Sequence, residues 1–272
     1  MNRVLRKRVS IPFTIIGIPI KGFYTPFVSA PSNISCTFIA RIERGSKSYE
    51  RTLDYKHLDI SANIINYVGM VLDELGYEGI GGEVNVSCDR DPPTISVFSV
   101  ATIEIIKELL GITARDYLWA LKNMAPFDEK VLGFDPGYIE SLRCSHLFNS
   151  VCVVKGHNEI VRLGSARVFI EKVKEVLCKD RECNSLEYPY DSYTLSLFYK
   201  LLTHVIGLFA QTVNANGETG LDKISKVLGL YIAWESKAVK DYLGDELVYS
   251  EVSEAKPVMD YTKVGFYRIK FM

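Results

Sequence analysis

No stretch of this chain stays apolar for the length a bilayer demands. The best run, residues 195–213, is interrupted by Lys200, His204 and Gln211 and reads as a buried helix. Nor does one sign of charge prevail, because 32 Lys and Arg face 33 Asp and Glu and leave a net charge of −1. No overall field therefore recruits nucleic acid or an anionic membrane, and any anionic ligand must be met by a local cluster of cations. Internal repeats and low-complexity tracts are absent, which excludes solenoids and disordered linkers. The cysteines Cys36, Cys88, Cys144, Cys152, Cys178 and Cys183 are scattered through a chain too long to need staples. Only the last two lie close together, at a spacing that matches no zinc signature, so the expectation is buried thiols in a cytoplasmic protein, with no metal. The basic start (Arg3, Arg6, Lys7, Arg8) before apolar residues 11–20 has the outline of a secretion signal. Pro12, Pro19 and the alternation of Thr14, Ile16 and Ile18 read instead as an extended edge segment, and no small-residue cleavage site follows.

What the chain does have is ordinary globular composition, 47% hydrophobic and 24% charged, at a length that accommodates two lobes. Strand formers dominate residues 27–42, and 48–53 is expected to return beside them after a turn at Gly45. Asp59 or Ser61 can cap a helix whose Ala62, Ile65, Val68, Leu72 and Leu75 share one face, with Gly76 as its stop. Residues 79–88 return to strand through Val84 and Val86. An Asp-Arg-Asp-Pro-Pro connection then leads to a helix carrying Val100, Ile103, Ile106 and Leu110. After Gly111 the pattern predicts a short helix over 114–122, a turn at Asp135-Pro136-Gly137, and a hairpin of 149–154 with 159–163 around Gly156. Helices are expected over 166–178, 193–214 and 221–242, and short strands over 248–272. The whole reads as an α/β (α+β) protein in two lobes, residues 1–150 and 151–272, sharing one core.

Three short segments invite comparison with known chemistry. Ala30-Pro31-Ser32-Asn33-Ile34 opens an early strand, residues 92–101 read P-x-x-x-S-V-x-S-V-A at a helix start, and Pro257-Val258-Met259-Asp260 falls on a late strand. In order and spacing they resemble the GHMP superfamily of galactokinase, homoserine kinase, mevalonate kinase and phosphomevalonate kinase, and above all its diphosphomevalonate decarboxylases. Those enzymes carry A-P-x-N-I-A and then a lysine; here A-P-x-N-I is intact, Ser35 follows, and Phe38 stands in the lysine's place. Their A-C-R-S-L-F run is resembled by Cys144-Ser145-His146-Leu147-Phe148, with Ser145 where the arginine would be. Met259-Asp260 can be laid on their T-x-D-A-G-P-N strand, which bears the catalytic aspartate. The resemblance implies a two-lobed GHMP-kinase-like fold, with a ribosomal protein S5 domain 2-like N-terminal lobe and an α/β C-terminal lobe. It also implies a small phosphorylated mevalonate as partner and a homodimer, with neither nucleic acid nor membrane.

The departure from the family carries as much information. A phosphate loop needs glycines, so that successive backbone N–H groups can approach the oxygens, and a hydroxyl to hold the metal. The superfamily's loop reads P-x-x-x-G-L-x-S-S-A. This chain keeps Pro92 but puts Ser96 at the glycine, adds apolar bulk at Val97, Phe98 and Val100, and leaves Ser99 as the only hydroxyl in the second half. ATP is not expected as a cofactor. A decarboxylase without ATP is what the resemblance then implies, as in the mevalonate 3,5-bisphosphate decarboxylases of some archaea, which yield isopentenyl phosphate. The alternatives are an ATP-dependent mevalonate-derivative kinase or decarboxylase, and a catalytically inactive ligand-binding homologue. On the first reading Asp260 stabilises charge developing at the tertiary carbon. Asn33, Ser35, Arg41 or Arg44, Arg143, Ser145, His146 and Lys263 are the candidates for meeting two phosphates and a carboxylate. His204 reads as a helix-packing residue, and His57 and His157 as loop residues.

Overall fold

The structure, a computed structural model, describes residues 2–16, 26–44, 60–77, 80–90, 92, 94–112, 116–132, 136–155, 159–165, 167–179, 200, 204, 249–252 and 261–271. Its axis is strand β2 (Phe27–Arg44), flanked on one edge by β1 (Asn2–Ile16), which runs antiparallel from Asn2↔Glu43 to Ile16↔Val28. Side chains alternate along β2 as a half-buried strand requires. Ile34, Cys36, Phe38, Ala40 and Ile42 are buried, whereas Asn33, Ser35, Thr37 and Ile39 are half-buried and Arg41 and Glu43 exposed. The edge position expected for the proline-bearing start is observed, with a register shift between Ser10 and Pro12, where proline brings no N–H to the ladder.

The other edge of β2 is shared. β3 (Ile80–Cys88) pairs antiparallel with residues 36–44, β4 (Cys152–Lys155) pairs with 27–29, and Ser32 makes a single parallel bridge to Val168 at the start of β6 (Val168–Lys179). β5 (Glu159–Arg162) closes a hairpin on β4, so the sheet built on β2 continues past residue 150. β8 (Tyr261–Phe271) pairs antiparallel with β6 and is flanked by β7 (Tyr249–Val252), which gives the path β5-β4-β2-β6-β8-β7. Four helices lie against the buried face of β1 and β2 or on one another: α1 (Ile60–Glu74), α2 (Thr94–Leu110), α3 (Tyr117–Leu132) and α4 (Pro136–Phe148). Gly76 ends α1 with φ +76° and Gly111 ends α2 with φ +63°, a left-handed stop that glycine reaches without a Cβ penalty.

Several expectations are corrected. Where a helix was expected over 166–178, residues 168–179 form a strand, because the ladder with β8 prevails over a local pattern that a bulge between Lys172 and Lys174 shifts out of strict alternation. The short helix expected over 114–122 lies at Tyr117–Leu132 and continues through Pro126. Pro136-Gly137 opens α4 rather than making a free turn, proline being compatible with a first helical turn. His204 is exposed, not packed. Segments 48–53 and 221–242, and 193–214 apart from Lys200 and His204, lie outside the described residues. No helix among the described residues is long and apolar enough to cross a membrane.

The cysteine expectation is also corrected. Cys36 and Cys88, directly opposed on β2 and β3, form a disulfide, and a second joins Cys144 of α4 to Cys152 of β4. Strand pairing brings the first pair together across 52 residues, a proximity that sequence spacing does not reveal. Loop closure over that separation contributes about 4 kcal/mol in the chain-entropy account. A Cys36→Ser/Cys88→Ser double variant is expected to unfold at a lower temperature than the oxidised parent, and added reductant to narrow the gap. Equal thermal midpoints with and without reductant would show that the bond does not form.

Candidate functional site

Two polar clusters and one strand junction contain most of the described site candidates; Arg41, Arg44 and Lys263 lie elsewhere. The first cluster is closed. Arg143, on α4, is fully buried, and its guanidinium uses all three nitrogens. Nη1 donates to Asp128 Oδ2 at 2.5 Å, Nη2 to Tyr67 Oη at 3.2 Å and to Thr102 Oγ1 at 3.1 Å, and Nε to the Ser99 carbonyl at 3.4 Å. Tyr67 completes the ring by donating to Asp128 Oδ1 at 2.5 Å. Burial pushes the Asp128 carboxyl up from its ordinary value, with the Arg143 charge pulling against it. Burial alone would lower the Arg143 value, but the adjacent carboxylate outweighs it and raises it. The Tyr67 phenol is pushed well up by burial, with Asp128 adding to the effect.

The segment in phosphate-loop register belongs to this core. Ser96, Val97, Phe98, Ser99 and Val100 are all buried in the first turns of α2. The Ser99 hydroxyl donates back to the Ile95 carbonyl at 2.7 Å, and Phe98 packs edge-on to the Tyr67 ring at 5.2 Å. Ser96 Oγ and Ser145 Oγ are buried without a hydrogen-bond partner. The structure therefore does bring Arg143 to the degenerate loop, but inside a packed helix layer. Arg143 was expected among the phosphate contacts; instead Asp128 occupies it.

The second cluster surrounds Glu104, one turn further along α2. His146 Nε2 and Lys107 Nζ each lie 2.8 Å from Glu104 Oε1, and Lys7 of β1 bonds Oε2. Burial resists ionisation of this carboxyl, yet the hydrogen bonds from His146, Lys107 and Lys7 outweigh it and hold it well below the usual carboxylate range. Burial would lower the Lys107 value, but Glu104 reverses the sign and raises it. His146 is thus engaged with a carboxylate.

Asn33 and Ser35 lie on the less buried side of β2, opposite the core residues that face the helices. Asn33 Oδ1 accepts the Ile170 N–H of β6 at 2.7 Å, which fixes the amide and leaves Nδ2 as a buried donor with no partner. Ser35 N–H donates to Asp89 Oδ1 at 3.0 Å, and the Asp89 N–H returns to the Ser35 carbonyl at 3.0 Å, beside the Cys36–Cys88 bond. Arg41, at the far end of the strand, pairs with Glu83 at 3.0 Å, both side chains more than half exposed. Lys263 stands on β8 opposite Leu177 of β6, and Arg44 is the last residue of β2. Asp260 lies outside the described residues.

Sequence reasoning passed over two residues. Asp128 gave no signal, lying six residues beyond the end of the helix expected over 114–122. Arg90, at the end of β3, was visible as a lone cation in the Asp-Arg-Asp-Pro-Pro connection, and its guanidinium lies 5.0 Å above the Phe169 ring of β6. No metal-ligand cluster occurs among the described residues.

The buried pair has a direct test. Asp128→Asn leaves the guanidinium charge uncompensated in the core, at a cost of about 3–5 kcal/mol. The expected result is a large fall in the urea midpoint, partly recovered in Asp128→Leu/Arg143→Met, which removes both charges. An Asp128→Asn midpoint equal to that of the parent would contradict the network.

No family model matches the chain, and no curated protein matches its sequence. Solved structures do match its fold. Phosphomevalonate kinase of Streptococcus pneumoniae aligns with a TM-score of 0.55 at 10% identity, over 96% of this chain and 91% of that one. Mevalonate pyrophosphate decarboxylase from Streptococcus pyogenes gives 0.55 at 10% identity, over 97% and 89%. The L. major mevalonate kinase crystallised with R-mevalonate gives 0.54 at 10% identity, over 97% and 87%. At such identity the likeness is one of fold: helices packed on a largely antiparallel sheet in the two-lobed α/β, GHMP-kinase-like arrangement that the motifs led us to expect.

Proposed function

We propose that this protein is an ATP-independent decarboxylase of mevalonate 3,5-bisphosphate. The observation that carries the reading is the closed start of α2. A nucleotide's phosphates require backbone N–H groups that a ligand can approach. Here the corresponding turn is filled by Ser96 to Val100, all buried, with the Ser99 hydroxyl bonded to its own helix. The fold is shared with a decarboxylase and two kinases whose names place them on mevalonate or its phosphorylated derivatives. A member of such a group that omits nucleotide retains one half-reaction, the elimination.

In that reaction the bond between the carboxylate carbon and C2 breaks, and its electron pair forms the C2–C3 double bond. The C3–O bond breaks with its pair departing on inorganic phosphate. Carbon dioxide and isopentenyl phosphate complete the balance, and no proton is abstracted. The transition state builds positive charge at C3, which a nearby carboxylate stabilises electrostatically; Asp260 is assigned that role on its motif position. Asn33 supports the reading, because its amide oxygen is held by the Ile170 N–H while its Nδ2, a buried donor, has no partner among the described residues.

Purified protein incubated with mevalonate 3,5-bisphosphate in the absence of nucleotide is expected to release carbon dioxide and inorganic phosphate in equal amounts. Asp260→Asn is expected to lower that rate about a hundredfold or more while leaving thermal stability unchanged. Release that occurs only when ATP is added would replace this reading with the ATP-dependent one. No release under either condition would leave a ligand-binding homologue.

A further inference from the structure

We propose that Arg90 is the residue that binds a phosphate group of the ligand, at the junction of β2, β3 and β6. The inference deepens the functional reading above and rests on it for the identity of the ligand, but not for the presence of a phosphate site.

The argument begins with the cations that are already engaged. Arg143 is buried against Asp128, Arg41 is paired with Glu83, and Lys7, Lys107 and His146 share Glu104. Arg162 lies 4.4 Å over the Phe148 ring, on the β4–β5 hairpin rather than at this junction. Arg90, like Arg162, is exposed and pairs with no carboxylate among the described residues, but of the two only Arg90 stands at the junction of β2, β3 and β6.

Its position is fixed from three sides. Asp89, the preceding residue, exchanges two hydrogen bonds with Ser35, and the Cys36–Cys88 bond ties the end of β3 to the middle of β2 covalently. The guanidinium lies 5.0 Å above the Phe169 ring. Phe169 adjoins Ile170, the residue whose N–H holds the Asn33 amide. Arg90 therefore belongs to the same junction as the one buried donor on β2 that lacks a partner.

The chemistry follows from this arrangement. A guanidinium 5.0 Å from a ring centroid is attracted by the ring's quadrupole, and its N–H groups match two oxygens of a phosphate in a bidentate contact. The ring contact restricts the side chain before the ligand arrives, so less rotamer freedom is lost on binding. Among the described residues no paired carboxylate must be displaced. The ligand class is a phosphomonoester, and the motif residue Asn33 would supply a further donor beside it.

The test is calorimetric titration of the oxidised protein with inorganic phosphate and, separately, with mevalonate 3,5-bisphosphate, using wild type, Arg90→Gln, Arg90→Lys and the surface control Arg6→Gln. Arg90→Gln is expected to weaken both ligands about tenfold to a hundredfold, the loss of a charge-assisted contact. Arg90→Lys should fall between it and the parent, and Arg6→Gln should bind as the parent does. In turnover, Arg90→Gln should raise KM by more than it lowers kcat, with circular dichroism and thermal midpoint unchanged. Binding by Arg90→Gln within twofold of wild type overturns the proposal, as does a wild type that binds neither ligand. Arg90-dependent binding without carbon dioxide release supports the site and sinks the decarboxylase reading. Release with Arg90-independent binding does the reverse.

Discussion

The ion pair between Arg143 and Asp128 lies with both side chains at zero exposure, where each charge would be prohibitive alone. Its cost is offset only because the surrounding helices supply the remaining hydrogen bonds: Tyr67 from α1, Ser99 and Thr102 from α2. One guanidinium thus fixes four helices in a single arrangement, with α3 contributing the carboxylate and α4 the cation. The arrangement has a consequence for chemistry. The turn of α2 that would face a nucleotide in a phosphate-loop protein is drawn into the core through the Ser99 carbonyl and through Phe98 against Tyr67. On the proposed reading, the residues in phosphate-loop register serve as packing.

Potential ligand contacts are left on the other side of β2. The alternation that sends Ile34, Cys36 and Phe38 toward the helices sends Asn33 and Ser35 away from them. There β6 approaches β2 through the Ser32↔Val168 bridge and the Asn33 bond, and Asp89 and Arg90 follow the end of β3 at Cys88. The Cys36–Cys88 bond and the Ser35–Asp89 exchange hold that junction in register. The division follows from the period of a strand: one face of β2 packs on the helices, and the other carries the residues proposed to bind.

How much of this was legible depended on whether the signal was local. The alternation along β2 and β3, the face of α1 and its glycine stop are local patterns, and they held. β6 was misread because the bulge at Lys172–Lys174 offsets its two halves, so that Phe169, Val173 and Val176 imitate a helical spacing. α3 was expected to end at residue 122 but runs on through Pro126 to Leu132, and Asp128 was lost with that second half. The partner of Arg143 was therefore invisible, and the arginine was read as a free cation. The Cys36–Cys88 disulfide follows from strand register, which no spacing rule encodes, and Cys144–Cys152 from the packing of α4 beside β4. Asn33 was legible from its motif; its fixed amide and the Arg90–Phe169 stack depend on where β6 lands.

The central claim is that the closed first turns of α2 leave no nucleotide site. Isothermal titration of the oxidised protein with ATP and magnesium tests it most directly. The account predicts no saturable heat up to millimolar nucleotide. A saturable isotherm with a Kd below the millimolar range would contradict it.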